Sequence, residues 1–180
     1  MNATIFLIST LFNLYLMVVL LRLWLQLAKA DFYNPFSQFV VKATHPIVGP
    51  MRRVLPSVGS LDTATLLLAF LVSMVKITTL SFLFAGGFPN VITLTLGSLL
   101  DVINEGLSLI FWVLILSAVL SWVSQGRSPI EYVLNQLTDP ILRPIRKILP
   151  PMGGLDLSVL VAIIGLQFIR ILLSDFIGLR

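Results

Sequence analysis

The sequence predicts an all-α integral membrane protein, with four transmembrane helices in two tandem, parallel helix–loop–helix repeats and short interfacial amphipathic helices in the loops. Three observations predict it. The chain of 180 residues is 57% hydrophobic and only 11% charged, whereas a soluble domain carries roughly 25% charged residues. Four apolar runs, at residues 3–27, 61–84, 97–123 and 157–179, each exceed the ~20 residues needed to cross a hydrocarbon core of ~30 Å. A proline–arginine phrase occurs twice, as HPIVGPMRRVLP from His45 and as DPILRPIRKILP from Asp139.

The first run ends in LAKA ahead of Asp31, which imitates a signal-peptidase site. No basic segment precedes it, and it is longer than the roughly 7–15 apolar residues of a signal peptide, so it reads as a retained transmembrane helix. Inside lipid the backbone must satisfy its own hydrogen bonds, so each run is expected to be helical. The loop after the first run opens with Asn34-Pro35, an N-cap followed by proline at the first helical position. Phe36, Phe39, Val40 and Ala43 then form one apolar stripe at helical spacing. Thr44 is read as a second cap, and Pro46 as the start of a second segment. Pro50 cannot donate a backbone bond, so a break or kink is expected there. Arg52 and Arg53 follow, then Pro56, Gly59 and Asp62, with Asp62 placed to cap the second span. AGGFPN turns the chain between the second and third runs and carries no charge.

A shift of 94 positions lays the second half on the first without a gap. Pro46, Pro50 and Pro56 fall on Pro140, Pro144 and Pro150, Arg52 on Arg146, and Asp62 on Asp156. Arg53 meets Lys147, and Lys76 meets Arg170. The third loop therefore repeats the plan: Ser128-Pro129 as cap, an apolar stripe of Ile130, Val133, Leu134 and Leu137, and a basic elbow. The expected repeats are residues 1–86 and 97–180, joined by an outer linker at 87–96. Basic residues concentrate in loops 28–60 and 124–156, which the positive-inside rule assigns to the cytoplasm, with both termini outside. Trp24 with Tyr33, and Trp122 with Tyr132, stand where interfacial aromatic anchors are expected.

NPFSQFVVKATHPIVGPMRRVLP, SPIEYVLNQLTDPILRPIRKILPPMGGLDLS and their doubling resemble the YggT family, also called YlmG-related, of bacterial and plastid membrane proteins. The likeness covers nearly the whole chain. It implies a multi-pass protein of the bacterial inner membrane. Members of that family have been connected with osmotic or envelope stress, with nucleoid and cell organisation, and with cytochrome assembly in chloroplasts.

Two sets of residues are candidate sites. Arg52, Arg53, Arg146 and Lys147 form twin basic elbows suited to lipid phosphates or a partner protein, each cation contributing about 1 kcal/mol near an anionic leaflet. Ionisable groups inside a span form the second set: Lys76, its repeat mate Arg170, and Asp101 and Glu105 on the third run. Lys76 lies ~21 Å along its helix from Asp62 at 1.5 Å per residue. Structural ion pairs and snorkelling cations account for this set. The competing reading is a small oligomeric ion or solute channel lined by Lys76, Arg170 and Glu105. His45, the sole histidine, suits a cap or an interface.

The chain has no cysteine, so thiolate chemistry is excluded. No Walker loop, G-x-S-x-G or H-E-x-x-H occurs. A net charge of +4 is too small to argue for nucleic acid. The expectation is a non-enzymatic membrane factor with no cofactor and no small-molecule substrate. Its expected partners are membrane lipids, other membrane proteins or a second copy of itself.

Overall fold

The computed structural model describes residues 2–124, 128–149 and 156–177. Its helices, in chain order, are α1 (Ala3–Leu27), α2 (Pro35–Val54), α3 (Thr63–Leu80), α4 (Val91–Ser124), α5 (Pro129–Ile148) and α6 (Leu157–Ile177). A π-helical turn, Ser81–Ala85, extends α3. Four stretches are long and apolar enough to cross a bilayer: Ala3–Leu27, Thr63–Ala85, Val91–Ser121 and Leu157–Asp175. The protein is therefore an all-helical, multi-pass membrane protein. Phe6, Leu11 and Leu14 of α1 are each more than half exposed, an outward apolar surface whose natural solvent is lipid.

Two compact units divide the chain, Met1–Gly106 and Leu107–Arg180. In the first, α1 packs on both α2 and α3, and α2 on α3. Its core includes Leu16 and Val19 of α1, Val40 and Val48 of α2, and Ala64, Leu68 and Ala69 of α3. In the second, α5 packs on α6. There Leu114, Leu142 and Ala162 form the core, flanked by Ile110, Ile145 and Ile163.

The expected break in each loop is absent. α2 runs uninterrupted through Pro46 and Pro50, and α5 through Pro140 and Pro144. Each interior proline removes one i→i−4 bond and crowds the carbonyl four residues back. Here the damage falls on one side: Lys42, Pro46 and Pro50 are i, i+4 neighbours and all are exposed. On the adjacent stripe Ser37, Val40, Thr44 and Val48 are buried. That stripe stays in register only if the helix continues past Pro46, so packing holds together what local propensity would break. Thr44 is consequently a mid-helix residue, its hydroxyl donating to the Val40 carbonyl at 2.7 Å. The expected apolar stripe is also rotated. Val40 is buried as predicted, but Phe39 is 62% exposed and Ala43 is open.

α4 begins at Val91, ahead of the expected residue 97, because Asn90 caps it by accepting from the Thr93 N–H at 2.8 Å. At 34 residues it is about 51 Å long at 1.5 Å per residue, beyond a single bilayer core unless it tilts or projects. Between α2 and α3 the chain reverses in a tight turn closed by two Val58–Leu61 backbone bonds of 3.0 and 3.1 Å. Gly59 supplies the φ of +62° that this turn needs.

Candidate functional site

In the first unit, sequence places a cap at the start of α2 and another at the start of α3, and both caps form. Asn34 accepts from the Ser37 N–H at 2.9 Å and donates to Ser37 Oγ at 2.8 Å. Asp62 accepts from the Thr65 N–H at 3.4 Å and from the Thr65 hydroxyl. Arg52 reaches across from the last turn of α2. Its Nε donates to Asp62 Oδ2 at 3.2 Å, and its Nη2 donates to the same oxygen and to Gln26 Oε1 at 2.9 Å. One arginine thus ties the end of α2 to the start of α3 and to α1. Burial pushes the Asp62 carboxyl up. The bonds from Arg52 and Thr65 and the Arg52 charge together outweigh that push and hold it below the usual carboxylate range. Arg53, the next residue, is exposed, as is Val54.

The second unit repeats the clip. Arg146 donates from Nε to Asp156 Oδ2 at 3.0 Å and from Nη2 at 2.7 Å. Asp156 accepts from the Ser158 N–H at 3.0 Å and from its hydroxyl. Burial raises the Asp156 carboxyl, and the Ser158 and Arg146 bonds together bring it below its ordinary value. Asp139 adds bonds from Arg143 at 2.9 Å and from Arg146 at 3.4 Å. It sits within α5 rather than at its start, so it pairs cations instead of capping a segment. Ser128 occupies the N-cap position without a side-chain cap bond. Lys147 is exposed. Pro56 follows α2, its carbonyl accepting from the Thr63 hydroxyl at 2.9 Å. Its repeat mate Pro150 lies outside the described residues.

The four basic candidates therefore divide into two kinds. Arg52 and Arg146 hold helix ends to capping aspartates, while Arg53 and Lys147 face outward.

The intramembrane set also divides. Lys76, only 6% exposed, bonds Asp101 across α3 and α4 and donates to Asn13 Oδ1 on α1 at 2.8 Å. Ser73 donates to Asp101 Oδ2 at 2.5 Å. Three helices of the first unit are thereby joined by one buried polar cluster. Glu105 lies one turn further along α4, half-buried. Arg170 is half-buried on α6, in the second unit.

Arg22 was not singled out by the sequence reading. It sits within α1, is 3% exposed, and donates from Nη1 to Thr44 Oγ1 at 2.7 Å and to the Val41 carbonyl at 3.4 Å. The signal that could have found it is its lack of a charged repeat mate: 94 residues on stands Leu116. Among the described residues, no group of three or more His, Asp or Glu side chains is placed to hold a metal ion.

A family model described as CCB3/YggT matches residues 1–83 and 96–177. A Vibrio alginolyticus protein named for the region 3′ of proC is 58% identical over 180 residues, covering 99% of this chain and 97% of its own. The YggT protein of Escherichia coli K12 is 54% identical over 170 residues, covering 94% and 88%. A Haemophilus influenzae protein is 40% identical over 178 residues, covering 99% and 95%. No solved structure matches the chain.

Proposed function

This chain belongs to the CCB3/YggT family, and on that premise we propose that it is a non-enzymatic factor of the bacterial inner membrane, acting through lipid and protein contacts of α2 and α5. The role is support of the envelope under osmotic or related stress, by organising the membrane or assembling complexes in it. Both helices lie on the cytoplasmic side, where loops 28–60 and 124–156 concentrate the basic residues, and both termini lie outside.

The observation that carries this reading is the outer surface of α2. Phe39, Ile47 and Val54 are exposed by 62%, 44% and 80% and fall on one stripe at helical spacing. Lys42 and Arg53 stand beside it, also exposed. An apolar stripe bordered by cations suits a helix lying in the headgroup zone. Continuity through the prolines supports the same reading, since a broken segment could not present 20 residues as one amphipathic face. The channel reading has less support. Lys76 is engaged by Asp101 and Asn13, which favours a structural role over a conducting one.

The chain lacks cysteine, so single cysteines report cleanly. A nitroxide at Phe39→Cys or Ile47→Cys is expected to be relaxed by oxygen and by lipid-borne quenchers. One at Gln38→Cys is expected to respond to aqueous quenchers. Equal aqueous access at all three positions would refute an interfacial α2. Ion flux from the purified protein in liposomes, altered by Lys76→Met, would favour the channel instead.

A further inference from the structure

A cavity of about 500 Å³ opens between the end of α1 and α2 in the first unit, lined by Arg22, Gln26, Gln38, Lys42, His45 and Arg52 among others. Three of these are cations and two are amides. We infer that this cavity binds a phosphate-bearing anion, with Arg22 at its base and Lys42 at its mouth.

Three observations carry the inference. The first is the state of Arg22. A guanidinium taken almost wholly out of water requires a counter-charge or a full set of acceptors. The acceptors present are a hydroxyl and a carbonyl, both neutral and both on Nη1. Among the described residues Arg22 forms no ion pair. Asp62 attracts Arg22 through space, but it is bonded to Arg52, whose own positive charge opposes that attraction at Arg22 more strongly.

The second observation is the comparison that the duplication provides. The shift of 94 residues preserves the scaffold: the N-terminal proline, both interior prolines and the Arg–Asp clip all recur. The cavity lining does not recur. Arg22 becomes Leu116, Gln26 becomes Leu120, Gln38 becomes Tyr132, Lys42 becomes Gln136, and His45 becomes Asp139; only Arg52 keeps its type, as Arg146. The same helix–loop–helix plan therefore stands in the second unit without the counterparts of Arg22 and Lys42. There the cationic charge is answered internally, Asp139 holding Arg143 and Arg146. Arg22 and Lys42, two cations that the second copy of the scaffold does without, line a cavity that has no carboxylate in its wall, and they point to a ligand that carries the negative charge.

The third observation is chemical fit. A planar guanidinium and an ammonium together match a tetrahedral oxyanion, and the amides of Gln26 and Gln38 donate to further oxygens. The volume falls within the usual 300–1,000 Å³ of small-molecule sites, room for a phosphate with a small polar group attached. That phosphate could be the headgroup of an anionic lipid or a soluble phosphate compound. Only the lipid source rests on the interfacial placement of α2 proposed above.

The test uses the purified full-length protein in detergent, titrated separately with sodium phosphate, short-chain phosphatidylglycerol and short-chain phosphatidylcholine. Tryptophan fluorescence and thermal shift serve as readouts. Saturable binding of phosphate or phosphatidylglycerol is expected, with phosphatidylcholine much weaker. Lys42→Gln, at an exposed position, should weaken it roughly fivefold. Arg22→Leu, which installs the residue of the second repeat, should abolish it. If that variant fails to fold, the decision rests on Lys42→Gln. Arg143→Gln in the second unit should leave binding unchanged. Phosphatidylglycerol alone identifies a leaflet ligand, phosphate alone a soluble one, and both a site that reads the phosphate itself. Absence of saturable binding to either, equal affinity for phosphatidylcholine, or binding unmoved by Lys42→Gln overturns the inference. A negative result here leaves the quenching experiment on α2 untouched, so the two readings fail separately.

Discussion

Single residues decide how charge is tolerated inside this protein. Lys76 is buried and Asp101 half-buried, and removing one partner of a fully buried pair costs about 3–5 kcal/mol because the other charge is stranded, an upper bound for this pair. Lys76→Met and Asp101→Leu are each expected to lower the melting temperature in detergent sharply. The double variant should recover most of the loss. Additive losses in that cycle would show that the two side chains do not interact. Asp62 makes a pH prediction. Its folded carboxyl lies below the usual value near 3.8. The stability it contributes is therefore complete above that value and is lost as pH falls through the lower folded one. Asp62→Asn should melt lower at neutral pH and show a flatter decline as the pH falls below the usual carboxylate range. A parallel decline in both proteins would dismiss Asp62 as a source of acid sensitivity.

At the scale of the element, α2 and α5 are the unusual features. An interior proline costs about 3 kcal/mol relative to alanine, yet each helix carries two. The helices persist because the buried stripe on both sides of the first interior proline needs a single register. Restoring backbone donors should then stabilise the protein: Pro46→Ala is expected to raise its stability by up to about 3 kcal/mol, read by thermal unfolding in detergent. A loss of stability would mean that the bend itself is needed for packing. The elements also show where sequence reading was sufficient. Asn34, Asp62 and Asp156 were recognisable as helix-start residues from local pattern, since a cap is a bond across two or three residues. Pro46 and Pro50 were misread because their effect depends on which face of the helix meets its neighbours, a matter no local rule contains.

For the whole molecule, the central expectation is that the two loops share one side of the bilayer. Single cysteines at Ser57 and Gln136 should both be labelled by a membrane-impermeant maleimide only in inverted inner-membrane vesicles. Labelling from opposite sides would rule out parallel repeats. Four spans, a 94-residue repeat and the family were readable from the sequence alone, because hydropathy, turn residues and capping act over a few neighbours and survive duplication unchanged. The pairing of Lys76 with Asp101 was within reach, since an ionisable group in lipid demands a partner and few were available. The role of Arg52 was not. As one of two adjacent arginines it looked like surface charge, and only the return of α3 beside α2 brings Asp62 within 2.5 Å of it. The buried state of Arg22 and the cavity it lines were equally out of reach. Sequence alone determined which segments are long and apolar enough to enter the membrane and, at Asn34, Asp62 and Asp156, where helices begin, because those outcomes follow from transfer free energy and local hydrogen bonding. Tertiary structure decided which charges are neutralised and which are left facing a cavity, because electrostatic partnership depends on distance in space and not on distance along the chain.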